Sequence, residues 1–226
     1  MITTILWDVD GTLLDFQYSQ KLALEQCFAA EGMVMTEEVH NRYSRINDDY
    51  WRRLELGEIT REQLLNGRFL TLFEEFGIDT IDAVSFRKAY QAALGQVYAY
   101  IEGAPQICRR LRGRVKQYVI TNGVAATQRN KLTLSGLTEY MEELFISEEI
   151  GAPKPALEFF EQVLERIEEK DKSCILVVGD SLSSDIKGGV LAGVKTCWYR
   201  PEGTCNPTPF KPDYEISRLE QVWDII

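Results

Sequence analysis

The sequence predicts an α/β protein: a doubly wound, mostly parallel sheet core carrying an inserted all-helical domain. Three observations predict it. Apolar runs stop abruptly at polar residues in Ile5-Leu6-Trp7 before Asp8, Val119-Ile120 before Thr121, and Leu176-Val177-Val178-Gly179 before Asp180, as buried parallel strands do. From Gly103 onward, helical and strand patterns alternate, as βαβ units require. Between about Phe16 and Ile101 every periodic segment has helical spacing. The expected core is therefore residues 1–15 with 101–226, and the helical domain is residues 16–100.

Ile5 to Trp7 opens the core as a strand, and Gly11 turns the chain beyond it. In the insert, Ser19 to Glu31, Glu37 to Leu54 and Phe86 to Tyr98 read as helices. The clearest helix begins at the capping box Thr60-Arg61-Glu62-Gln63, carries Leu65, Phe69, Leu72, Phe73 and Phe76 on one stripe, and stops at Gly77. Pro105 then starts a helix that ends near Gly113, followed by a strand at Gln117 to Ile120. A helix over Ala125 to Leu134, a strand at Leu144 to Ser147 and a helix from Pro155 to Ile167 continue the alternation. Cys174 to Val178 is a strand, Asp185 to Ala192 a helix, Val194 to Tyr199 a strand and Arg218 to Ile226 a terminal helix. The proline-rich stretch Pro201 to Pro212 reads as a loop.

Composition narrows the function. A chain of 226 residues with 45% hydrophobic content can build a sizeable interior. Its 35 acids outweigh 25 bases, for a net charge of −10 without any Lys/Arg-rich run, so neither nucleic acid nor an anionic membrane is an expected partner. No secretory signal pattern and no apolar run of membrane-spanning length occurs, which predicts a cytoplasmic protein. Cys27, Cys108, Cys174, Cys197 and Cys205 form an odd, scattered set, as in a reducing compartment. The single histidine, His40, lies in a polar helical stretch, which disfavours cysteine or serine hydrolysis driven by a histidine base.

The chemistry lies where the strands run out, the edge at which open α/β sheets bind ligands. Asp8 and Asp10 follow the first strand, Thr121-Asn122-Gly123 the second, and Asp180 a later one, with Asp185 five residues on. Lys154 sits between Pro153 and Pro155 after the strand at Phe145. Asp8 is the candidate nucleophile, because a carboxylate can attack phosphorus and form an aspartyl-phosphate. Like charge opposes that attack: two unit charges about 4 Å apart repel by roughly 4 kcal/mol at an effective dielectric of 20. A divalent cation answers the problem, and Asp8, Asp180 and the backbone carbonyl of Asp10 are candidate ligands for Mg²⁺, with Lys154 adding positive charge. Asp10 is then the candidate general acid and, later, base. Thr121, Asn122 and Gly123 are candidates to bind the phosphoryl oxygens, and Asp185 to orient Lys154 or a metal-bound water from behind. Each piece alone has a plainer explanation, as a turn, a helix cap or a solvated lysine. Their joint occurrence at successive strand ends argues for one phosphoryl-transfer site.

In Asp8-Val9-Asp10-Gly11-Thr12, Thr121-Asn122-Gly123, Lys154, and Gly179-Asp180-Ser181 with Asp185, the chain resembles the haloacid-dehalogenase-like superfamily of aspartate-nucleophile phosphatases. The resemblance implies a Rossmann-type core and a helical cap that closes over the site and selects substrates. It assigns Asp8 as nucleophile, Asp10 as acid and base, Thr121 and Lys154 as phosphate-binding groups and Asp180 as a Mg²⁺ ligand. Trp51 to Phe69 and Ile146 to Gly151 more narrowly resemble bacterial pyrimidine 5′-nucleotidases that act on non-standard nucleoside monophosphates. Phe16 stands where many relatives carry a small polar residue, near the cap hinge.

The expectation is a Mg²⁺-dependent phosphomonoesterase acting on a small phosphate ester, a nucleoside monophosphate by preference, as a monomer or small homo-oligomer. Tyr18, Tyr50, Trp51, Phe69 and Tyr98 could stack on a base, and Arg45, Arg52 and Arg68 could contact it, but helical spacing makes the aromatics core residues and the arginines solvated charges. A sugar-phosphate phosphatase or phosphomutase would use the same residues, a dehalogenase would not need Asp10 or the metal-binding acids, and a phospho-aspartate switch would be drained by Asp10.

Overall fold

A computed structural model describes residues 1–201 and 208–226. After β1 (Thr4–Trp7) come four helices, α1 (Phe16–Ala30), α2 (Glu37–Glu55), α3 (Arg61–Phe76) and α4 (Ala83–Leu94). The chain then runs through α5 (Ala104–Leu111), β2 (Lys116–Thr121), α6 (Ala125–Leu134), β3 (Glu143–Ile146), α7 (Ser147–Ile150), α8 (Leu157–Arg166), β4 (Ile175–Gly179), α9 (Lys187–Ala192), β5 (Lys195–Tyr199) and β6 (Tyr214–Ile216). It divides into two compact units, Met1–Phe16 with Tyr98–Ile226, and Gln17–Val97.

The first unit is built on a six-stranded sheet in the order β3-β2-β1-β4-β5-β6, parallel at every pairing. Strands buried on both faces must be apolar throughout, and β1 shows why: Ile5 and Trp7 join one core cluster and Leu6 the other. Ile107, Cys108 and Leu111 of α5 cover the first face with Leu219 and Val222, and Phe159, Phe160 and Val163 of α8 cover the second. The Trp7 indole donates to Gln117 Oε1 at 3.1 Å, and the Gln117 amide donates to the Cys108 carbonyl at 2.9 Å, so this buried polar group is satisfied. Because Trp7 pairs with both Val119 and Val178, the carboxyl ends of β1, β2 and β4 lie at one edge of the sheet, β2 and β4 running slightly past β1. Strand order reverses between β1 and β4, the switch point at which such sheets bind ligands.

The second unit packs four helices around an aromatic core. Phe28, Tyr43, Phe69, Phe73, Phe86 and Tyr90 are buried, in mostly edge-on or tilted pairs such as Phe28 with Phe86 at 5.0 Å and Phe69 with Tyr90 at 5.2 Å. The capping box at Thr60 and Gln63 is present, and Gly77 ends α3 in the left-handed conformation. Arg68 departs from its expected role as a solvated charge. It is only 2% exposed, donates to Asn47 Oδ1 at 2.7 Å, and lies over the rings of Phe69 and Tyr90 at 5.2 and 5.4 Å.

Several expected boundaries move. The helix expected at Phe86 to Tyr98 starts at Ala83, because Asp82 caps it by accepting from the Ser85 amide at 2.8 Å, and it stops at Leu94 before Gly95. Tyr98 accordingly falls in the first unit. The terminal segment is a 3₁₀ turn over Leu219–Asp224 rather than an α-helix. A sixth strand, β6, was not expected: it has three residues, of which only Ile216 is buried. The helix expected from Asp185 is a π turn over Leu182–Ile186 leading into α9. Part of the expected loop, with Cys205, lies outside the described residues. Among the described residues, no helix is long and apolar enough to cross a membrane.

Candidate active site

Asp8 follows β1 directly, with its amide donating to the Val178 carbonyl at 2.9 Å, which ties the turn to the neighbouring strand. Gly11 then takes a φ of 94°, a conformation costly for any side chain. A Cβ there would lie 2.5 Å from Asp180 Oδ2, so glycine is also what lets the turn approach that acid. Thr12 donates to Asp180 Oδ1 at 3.3 Å, and the Trp198 indole donates to the Asp180 carbonyl at 2.9 Å.

Lys154 is the hub. Its ammonium donates to Asp8 Oδ1 at 2.7 Å, Asp185 Oδ1 at 2.7 Å and the Ile120 carbonyl at 2.9 Å, and the side chain is 2% exposed. The Asn122 side chain fixes the lysine's backbone, accepting from its amide and donating to its carbonyl, both at 2.8 Å. Asp185 has its second oxygen engaged by the Ser181 amide at 3.1 Å, so it orients Lys154 with neither oxygen idle. Thr121 is buried, and its hydroxyl accepts from the Gly123 amide at 3.1 Å; in this arrangement that amide is spent inside its own turn.

One ammonium faces too many carboxylates. Oxygens of Asp8, Asp180 and Asp185 all lie within 4.8 Å of one another, leaving two negative charges beyond what Lys154 neutralises. Burial, opposed by Lys154 and reinforced by Asp185, pushes the Asp8 carboxyl up to about 7. Burial alone would lower the Lys154 ammonium, but the charges of Asp185 and Asp8 outweigh it and hold that group above the ordinary lysine range. Burial and carboxylate crowding therefore raise Asp8 against the pull of Lys154, while two anions around one cation raise Lys154. The Asp180 carboxyl is raised as well, by enclosure among protein atoms and then by Asp8 and Asp185; because the residue as a whole stays exposed, the charge crowding carries the argument.

That donor set fits a divalent metal. It offers hard carboxylate oxygens with excess negative charge, as Mg²⁺ prefers, and among the described residues no hydrogen bond engages Asp8 Oδ2. The carboxylates that cluster are Asp8, Asp180 and Asp185, of which Asp185 has both oxygens engaged; the carboxylate of Asp10, a residue expected to contribute its backbone carbonyl rather than its side chain, lies outside the cluster. Asp10 Oδ1 accepts from Lys131 Nζ at 2.5 Å and Oδ2 from Gln128 Nε2 at 2.5 Å. Reasoning from sequence missed both partners. They are three residues apart on α6, the helix that follows Thr121-Asn122-Gly123, so they share a face, but nothing in that spacing sets them apart from solvated helix residues.

A family model described as haloacid dehalogenase-like hydrolase matches residues 2–193. The HAD-hydrolase YfnB of Bacillus subtilis is 38% identical over 99% of this chain and 94% of its own length. A magnesium-bound crystal structure of YfnB, reported to reveal interdomain movement, superposes with a TM-score of 0.94 over 99% of this chain and 98% of that one. The pyrimidine 5′-nucleotidase PynA of Streptococcus pneumoniae is 35% identical over 98% of this chain and 94% of its own. The pyrimidine 5′-nucleotidase YjjG of Escherichia coli is 32% identical over 98% and 96%.

Proposed function

The chain belongs to the haloacid dehalogenase-like hydrolases, and on that footing we propose that it is a Mg²⁺-dependent phosphomonoesterase whose preferred substrates are pyrimidine nucleoside 5′-monophosphates. The observation that carries the proposal is the convergence of Asp8, Lys154, Asp180 and Asp185 at the carboxyl edge of the sheet. Crowding like charges in this way costs stability, and functional sites are where such costs concentrate. The nucleotide preference is supported by the likeness to PynA and YjjG across nearly the whole chain. Within this reading the helical unit, which holds the stretch from Trp51 to Phe69, is assigned substrate selection.

Asp8 Oδ2 attacks phosphorus as the ester P–O bond breaks, and Asp10 gives a proton to the departing alkoxide. Water then attacks the aspartyl-phosphate, Asp10 accepts its proton, and the bond between Asp8 and phosphorus breaks to release phosphate. Lys154 holds Asp8 in place and offsets phosphate charge, while the Thr121 hydroxyl and the turn through Asn122 and Gly123 receive phosphoryl oxygens. Asp8 and Asp180, with the Asp10 carbonyl, would hold Mg²⁺, which when bound neutralises the charge that otherwise keeps a phosphate dianion away.

The test is release of free phosphate, with and without Mg²⁺, from nucleoside monophosphates, sugar phosphates and an aryl phosphate, with Asp8→Asn as control. Selective, chelator-sensitive release from pyrimidine 5′-monophosphates is the expected result. Equal rates on every ester would defeat the nucleotide preference, and activity in Asp8→Asn would defeat the mechanism.

A further inference from the structure

Asp10 is gripped from both sides by residues outside the cluster around Lys154. Lys131 is fully buried, with its Nζ on Asp10 Oδ1, while the Asp10 side chain keeps 23% of its surface exposed. Gln128 holds the other oxygen. The two donors stand on one face of α6, and the turn before that helix leaves room for one of them: a Cβ on Gly123 would lie 2.1 Å from Gln128 Nε2. The ring of Phe16 lies 5.8 Å from the Lys131 ammonium, on the side of the chain that leads out of the Asp10 turn.

Two donors, one on each oxygen, fix the plane of a carboxylate that a single bond would leave free to rotate about its terminal torsion. Each oxygen keeps a further lone pair for one more proton donor. A buried lysine is retained only where a partner compensates it, and here the compensation is the residue whose aim decides when water can be activated.

We propose that Lys131 and Gln128 are positioning residues that hold Asp10 as the base for the second half of the reaction, hydrolysis of the aspartyl-phosphate on Asp8. The inference rests on the reading of Asp8 and Asp10 given above. In that step water loses its proton to Asp10 while its oxygen bonds to phosphorus and the bond to Asp8 breaks. With a leaving group that departs without a proton from Asp10, loss of the grip slows this step and leaves the first, formation of the aspartyl-phosphate, nearly untouched.

The experiment compares wild type, Lys131→Met, Gln128→Met, Asp10→Asn and the double variant Lys131→Met/Asp10→Asn, all loaded with Mg²⁺ and assayed on p-nitrophenyl phosphate. With this good leaving group, kcat/KM reports phosphorylation of the enzyme and kcat reports its hydrolysis. In Lys131→Met, kcat and KM are expected to fall together by about 10- to 100-fold, with a burst of p-nitrophenolate ahead of phosphate. The double variant should hydrolyse no more slowly than Asp10→Asn. Gln128→Met, which leaves the buried ion pair in place, gives the same split with a smaller drop and keeps the test alive if Lys131→Met does not fold. A kcat/KM that falls as far as kcat, an unchanged kcat, or a double variant that adds the two losses would overturn the inference. If wild type releases no phosphate, or Asp8→Asn retains turnover, the reading of the site fails instead, which these outcomes separate from failure of the grip.

Discussion

Lys154 and Arg68 are both cations sealed almost completely from water, and their surroundings differ in kind. Lys154 touches two carboxylates, with a third carboxylate clustered against that pair. Arg68 donates to one amide oxygen and lies against two aromatic faces. In the helical unit the cation is part of the packing, held by dispersion, ring quadrupoles and a hydrogen bond to a neutral acceptor. At the sheet edge the cation is outnumbered, and the excess negative charge makes that region a receptor for something positive. Burial of charge is therefore not one phenomenon in this molecule; the sign of what is left over separates scaffold from site.

The strongest way to break the contrast is at Asp8. Asp8→Asn removes the proposed nucleophile, and turnover should fall by on the order of 10⁴-fold or more while the melting temperature without metal holds or rises, because one of the crowded negative charges is gone. Next comes the hub. Lys154→Met leaves Asp8 and Asp185 facing each other without compensation and should destabilise the metal-free protein by about 3–5 kcal/mol in denaturant unfolding. Mg²⁺ should recover part of that loss. Arg68→Met is the matched probe in the other unit. It orphans the Asn47 oxygen, at about 1–3 kcal/mol, and also removes a buried charge, so the net change should be small and identical with and without Mg²⁺. A Mg²⁺-dependent change at Arg68 would erase the distinction.

Proton competition sharpens the same point. Asp8 titrates near 7 in the folded, metal-free chain, above the ordinary carboxylate range. A group whose affinity for a proton is raised by folding contributes stability that is complete below its unfolded value and lost as pH rises through the folded one. Metal-free protein should thus lose stability between about pH 4 and 7, and Mg²⁺ should bind more weakly as pH falls below about 7, both followed by thermal melts across that window. Stability without metal that rises over this range would contradict the crowding. The smallest effect is expected at Thr60→Ala, which removes the side-chain cap of α3 and should cost about 1 kcal/mol with unchanged kcat.

These regions were also unequally legible in the sequence. Apolar runs ending at Asp8, Thr121 and Asp180 mark strand ends, because a strand buried on both faces can hold nothing else, and the capping box at Thr60 marks a helix start through two reciprocal hydrogen bonds. What escaped depends on tertiary partners. β6 offers three residues with one buried side chain, too short for a period to register. Lys131 and Gln128 look like any solvated helix polar residues until Asp10 is brought to them. Arg68 reads as a surface charge because nothing local to it announces the ring of Tyr90 or the oxygen of Asn47. Spacing reveals which face of an element is apolar; it does not reveal which polar residue another element will bury.

In the proposed reaction Asp8 becomes covalently phosphorylated because a cation relieves the crowding around it. Acid quenching during turnover of a phosphate ester with Mg²⁺, followed by peptide mass spectrometry, tests this directly. A phosphoryl group on the peptide containing Asp8, absent when Mg²⁺ is chelated, is the predicted result. Sustained phosphate release with no phosphoryl group on Asp8 in any quenched sample, above all in Lys131→Met where it should accumulate, would contradict the account.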